Sequence, residues 1–92
     1  MENKNVSFAV DELDVLMAKV ARVHGASHPE LIEIKGLYEK IREAIKNGDD
    51  ETVKSGLKKA AELSDGFLLP EDACTAYTRV YKAFKILTEE YK

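Results

Sequence analysis

The chain has no tryptophan, one cysteine, two prolines and two histidines, and each shortage excludes something. A lone Cys74 cannot close an internal disulfide, and it suits a reducing cytoplasm. The two histidines, His24 and His28, are too few for a multi-imidazole centre of the kind helical bundles build. No apolar stretch approaches the ~20 residues of a membrane span, so no membrane partner is expected. Met1 to Asn5 contains no apolar segment of the secretory type, which predicts no leader peptide. The 14 basic and 17 acidic residues are interspersed, giving a net charge of -3. Without a basic run there is no phosphate-tracking surface, and nucleic acid is not an expected partner. There is no glycine-rich phosphate loop and no serine with a plausible histidine and acid partner. No paired carboxylates fall on the apolar stripes, as buried acid–base chemistry would require. As an enzyme acting alone, the chain lacks parts.

What is present is helical patterning. An apolar share of 45% and a charged share of 34% over 92 residues fit one soluble globular domain, residues 1–92. Apolar residues recur at spacings of three and four in four blocks separated by turn residues. The first block, 7–24, carries Val10, Leu13, Met17, Val20 and His24 on one stripe, extended backwards by Val6. Ser7 is its expected N-cap, and Gly25 its expected left-handed terminator. The second, 29–47, opens on Pro29 and carries Leu31, Ile34, Tyr38, Ile41 and Ile45. The third, 50–65, presents Val53, Leu57, Ala60 and Ser64, with Phe67 continuing the face. Gly56 makes it the weakest helix, at a cost of about 1 kcal/mol relative to alanine. The fourth, 70–91, opens on Pro70-Glu71-Asp72 and carries Ala73, Tyr77, Val80, Phe84, Leu87 and Tyr91. The fold expected is all-α, an antiparallel up-down-up-down four-helix bundle. The polar N-terminus is expected to fray.

Such a bundle brings the end of the first helix, the start of the second, the end of the third and the start of the fourth to one pole. His24, His28, Glu30, Asp65, Glu71, Asp72, Cys74 and Tyr77 collect there, and this pole is the candidate site. His24 on an apolar stripe should point inward, as a metal ligand or as a neutral imidazole bonded to a carbonyl or to the Tyr77 hydroxyl. The second reading is the commoner fate of a lone histidine. His28 precedes Pro29 and so leaves helical geometry. It is a further candidate ligand or, more simply, an exposed residue at a capping box formed by Ser27 and Glu30. Cys74 is a candidate thiolate ligand, a redox thiol activated by the helix N-terminus, or a small buried hydrophobe, and Asp72 could add a carboxylate.

Two stretches carry a family resemblance. Lys19-Val20-Ala21-Arg22-Val23-His24-Gly25, followed by His28-Pro29-Glu30-Leu31, resembles the segment that bears one iron-ligating histidine in the iron–sulfur cluster repair di-iron proteins. Leu69-Pro70-Glu71-Asp72-Ala73-Cys74, with Tyr77 and Tyr81, resembles the same family's run into its last helix. The likeness covers most of residues 10 to 91 and implies a hemerythrin-like bundle linked to oxidative and nitrosative stress. It also implies that His24 stands at a ligand position. The rest of the set is missing. The early first-helix ligand would fall near Asn3. The His-x-x-x-Glu pair of the second helix would fall at about Gly48 and Thr52. Asp49-Asp50-Glu51 replaces a Glu-His-Glu stretch, and the sequence reaches Lys92 before the last ligand pair would begin. The cysteine-bearing N-terminal domain of many members is absent as well.

The resemblance therefore implies a reduced relative without a di-iron centre, needing no cofactor and acting by binding itself or a protein partner. Two alternatives stand beside it. One is a mononuclear or intersubunit site for iron or another transition metal, built on His24 with His28, Cys74 or Asp72. The other is a plain homo-oligomerisation module using an aromatic patch of Tyr38, Tyr81 and Tyr91.

Overall fold

The computed structural model describes residues 3–92, in which four helices follow one another: α1 (Lys4–His24), α2 (Glu30–Lys46), α3 (Asp50–Leu63) and α4 (Thr75–Glu90). They form a four-helix bundle in which α1 packs most extensively on α4 and α2 on α3. Cross-links fix the directions. Tyr38 reaches back to Val10 and Asp14, Gly56 lies against Ile41, and Phe67 stacks on Phe84. Each helix is thus antiparallel to the next, as the short connections require.

The apolar stripes become the core. Leu13, Met17 and Val20 of α1 meet Leu31, Ile34 and Ile41 of α2, Val53 and Leu57 of α3, and Tyr77, Val80, Tyr81, Phe84 and Leu87 of α4. Among the described residues, Ser64 alone is both buried and polar. Its hydroxyl donates to the Ala60 carbonyl and accepts the Phe67 N–H. Burial of this apolar surface, at roughly 25 cal/mol per Å², supplies the bulk of the favourable energy.

The helix ends differ from the sequence reading in instructive ways. α1 starts at Lys4, not Ser7, because the Asn3 side chain accepts the Asn5 and Val6 N–H groups and caps the helix one turn earlier. The expected fraying therefore does not extend to Lys4 and Asn5, while Met1 and Glu2 lie outside the described residues. Gly25 is not left-handed; its φ is -61° and ψ -30°. A Cβ there would run into the Ala21 carbonyl oxygen and the Ile32 side chain, so close approach is what demands glycine.

Pro29 has helical dihedrals but immediately precedes α2, and no side chain caps that helix, so the expected Ser27 capping box is not formed. α3 stops at Leu63, followed by Asp65, Gly66 and Phe67 in succession with positive φ. Phe67 accepts this unfavourable backbone because its ring is buried between Phe84, stacked at 5.1 Å, and the edge of Tyr81. Phe67 thus belongs to the core, but from a loop. α4 begins at Thr75 rather than Pro70: residues 70–73 form a turn, and Cys74 is the N-cap.

Candidate functional site

The pole inferred from connectivity exists, and the segment between α3 and α4 shapes it. The turn after Pro70 brings Asp72 and Cys74 up to the α1–α2 connection. His24, the last residue of α1, places Nε2 at 3.2 Å from the Cys74 sulfur. His28, in the connection, places Nε2 at 2.9 and 3.1 Å from the two Asp72 carboxylate oxygens, and its Nδ1 lies 3.8 Å from Glu30. Both imidazoles pack on the ring of Tyr77, with centroids at 5.1 and 5.7 Å.

Several expectations change here. His24 does not point into the core; it is half-buried at the rim. Its partner is a thiol rather than a carbonyl or the Tyr77 hydroxyl. Cys74 is not a buried hydrophobe but an exposed free thiol, and its sulfur accepts the Tyr77 N–H at 3.5 Å. His28 is half-buried and tied to Asp72 rather than free in solvent. The hydrogen bond from His28 holds the Asp72 carboxyl below the usual carboxylate range.

Tyr77 is fully buried, and its hydroxyl has no hydrogen-bond partner among the described residues. The Tyr81 ring stands perpendicular at 5.0 Å without completing a bond to it. Burial pushes the Tyr77 phenol above its ordinary range.

The donors come together as two pairs. Among the described residues, no three histidine, cysteine or carboxylate side chains are grouped so as to hold a metal ion. The His24–Cys74 pair satisfies the first geometric condition of an imidazole-activated thiol. A third group to orient the imidazole is missing, since Nδ1 of His24 makes no hydrogen bond among the described residues. A cleft of about 160 Å³ opens beside His28, Glu30 and Asp65, and neither His24 nor Cys74 lines it. That volume falls below the ~300 Å³ at which small-molecule sites begin. The pair, an exposed thiol and a half-buried imidazole, stands outside that cleft.

Sequence reasoning did not reach two other features. A larger hollow, about 660 Å³ and open to solvent, lies at the opposite pole among Val6, Val10, Ile45, Lys54 and Tyr91. It is made by helix ends and leaves no local sequence signal. On the α1–α2 face, the Tyr38 hydroxyl donates to Asp14 at 2.7 Å and Arg42 donates to the same oxygen at 2.8 Å. The expected aromatic patch of Tyr38, Tyr81 and Tyr91 is not available, because Tyr38 and Tyr81 are buried. The large apolar side chains that do face solvent are Phe8, Val15, Val23, Ile32 and Leu68. No helix is long and apolar enough to cross a membrane among the described residues.

No protein-family model matches the chain, and no solved structure matches it.

Proposed function

We propose that this chain is a ligand-depleted relative of the hemerythrin-like cluster repair proteins that keeps the bundle, has lost the di-iron centre and acts as a binding module. The observation that carries the reading is the filled interior. A bundle di-iron site needs imidazoles and carboxylates projecting inward from facing helices. Here the interior is taken by Leu13, Ile34, Ile41, Tyr81 and Phe84, with Phe67 closing it from the loop. Both histidines stand at one pole, each already paired. These residues do not fit a di-iron cluster. The test is elemental analysis of protein purified without oxygen, with the absorption spectrum taken alongside. Iron well below one atom per chain is expected, and a stoichiometric two-iron signal overturns the reading.

A second reading has one observation in its favour. The 3.2 Å between His24 Nε2 and Cys74 Sγ is a few tenths of an ångström short of the ~3.5 Å nitrogen–sulfur separation across a tetrahedral zinc ion with bonds of about 2.0 and 2.3 Å, a gap that a small side-chain movement would close. His28, Asp72 or a second chain would have to complete the set. If His24→Ala leaves zinc and iron content and thermal stability unchanged, this reading fails.

A further inference from the structure

α1 carries two faces with apolar content, and the bundle uses only one. Ala9, Leu13, Leu16, Met17, Val20 and Ala21 are buried. On the opposite side Lys4, Phe8, Asp11, Val15, Ala18 and Arg22 are all exposed. Their spacing alternates four and three, the spacing of a and d positions in a coiled coil, with Phe8, Val15 and Ala18 apolar and Lys4, Asp11 and Arg22 charged. Phe8 is 54% and Val15 72% exposed, two large apolar side chains on a face that the bundle leaves uncovered. An outward helix face in a monomeric bundle is ordinarily polar throughout.

We infer that this face of α1 packs antiparallel on the same face of a second copy, forming a two-fold dimer. The inference rests on the binding-module reading and names the partner as the chain itself. Charge placement selects the arrangement. Asp11 and Arg22 have no ion-pair partner among the described residues, whereas the neighbouring Glu12 and Asp14 are engaged by Arg79 and Arg42. With two α1 helices antiparallel and centred between Val15 and Ala18, Asp11 of each copy faces Arg22 of the other. A parallel pairing would instead set Asp11 on Asp11 and Arg22 on Arg22, which is repulsive.

The same register places Val15 against Ala18, a small central layer that lets the helices approach. It places Phe8 at Gly25, where a shallow hollow of about 500 Å³ lies among Ala18, Ala21, Ala26 and Ile32, with Arg22 and Lys35 also lining it. Ile32 is 61% exposed at its edge. Every contact occurs twice, as an isologous interface requires. The charges thus fix the register, and the apolar residues fill it.

Sedimentation or light scattering from micromolar to near-millimolar concentration tests the inference on the whole chain. The expected result is a reversible monomer–dimer equilibrium. Asp11→Arg and Arg22→Asp should each weaken it by about tenfold or more, since each creates two like-charge contacts. The combined Asp11→Arg/Arg22→Asp chain should return to within a few-fold of the original. Both positions are exposed, and the circular dichroism melt of each variant shows that the bundle is intact. A strict monomer at the highest concentration, or a charge swap that fails to restore association, overturns the dimer and leaves the face to some other occupant. Neither result touches the iron analysis, so the two readings fail separately.

Discussion

The hydroxyl of Tyr38 and the carboxylate of Asp14 share a 2.7 Å hydrogen bond across the α1–α2 seam. The same hydroxyl also lies 3.2 Å from the Val10 carbonyl, so the one proton of a largely buried phenol has an acceptor on either side. Burial, with Asp14 adding to it, drives the phenol far above its ordinary range. Tyr38→Phe would remove the donor while leaving Arg42 on Asp14. We expect a loss of about 1 kcal/mol, the usual net value of an intramolecular hydrogen bond. Urea denaturation measures it, and an unchanged midpoint would show that Asp14 is satisfied by Arg42 and water alone.

Tyr77→Phe should behave in the opposite way. The Tyr77 hydroxyl is buried without a partner, so the wild type already bears the desolvation cost of that group. Removing the oxygen keeps the ring contacts to His24, His28 and Tyr81. We expect stability to rise by up to about 1 kcal/mol. A clear loss in the same urea experiment would mean that the hydroxyl is bonded, to Tyr81 or to water or a bound ligand at the pole.

These two tyrosines mark the boundary of what the sequence could tell. Both were readable as stripe residues, because helical spacing alone puts Tyr38 and Tyr77 on the buried face of their helices. Whether each hydroxyl meets a partner was not readable, because that depends on the neighbouring helices: Tyr38 finds Asp14 on α1, and Tyr77 finds none among the described residues. The same holds at the pole. Connectivity gathers His24, His28, Asp72 and Cys74 at one end, but His24 meets Cys74 across 50 positions and His28 meets Asp72 across 44. Spacing along one chain does not encode such pairings. The start of α4 was misplaced because Pro70 gives a strong local signal, while a cysteine is an unusual cap whose role depends on the Tyr77 N–H reaching its sulfur. The outward seam of α1 was obscured for a simpler reason: the stronger apolar stripe on the same helix fixes the periodicity.

Stability should fall on acidification from a neutral plateau. A hydrogen bond from Arg79 lowers Glu12, and one from His28 lowers Asp72. The Asn3 amide lowers Glu90. At Asp14, burial pushes upward, but the hydrogen bonds from Arg42 and Tyr38 outweigh it and the net shift is downward. For a carboxyl whose folded pKa lies below its unfolded value, the contribution is fully present above the unfolded range. It is lost as pH falls through the folded value. The carboxyl contribution to the melting temperature should therefore be constant above about pH 5 and decline below about pH 4, where unfolded carboxyls take up protons. Glu12→Gln should make that decline shallower. An undiminished slope in this variant would remove the Arg79 pair from the account.

Glycine to alanine should change sign between α2 and α3. Gly36 is exposed on α2, and a Cβ added there meets nothing within 4 Å. Gly36→Ala should therefore gain the helix-propensity difference, about 0.5–1 kcal/mol. Gly56 has the same helical setting on α3, but a Cβ there would lie 2.6 Å from Cγ1 and 3.1 Å from Cδ1 of Ile41. Ile41 has no exposed surface into which to retreat, so the clash must be relieved by moving α2 from α3 or forcing a rotamer. Overpacking of this kind costs about 1–3 kcal/mol and exceeds the propensity gain. We expect Gly56→Ala to destabilise by about 1–2 kcal/mol, and to do so less in an Ile41→Ala background, which removes both Cγ1 and Cδ1. The four melts form a double-mutant cycle. Additive effects would mean that Gly56 is not in the sequence for the closeness of the α2–α3 pair, and the glycine would then be only the helix weakener that its residue type suggests.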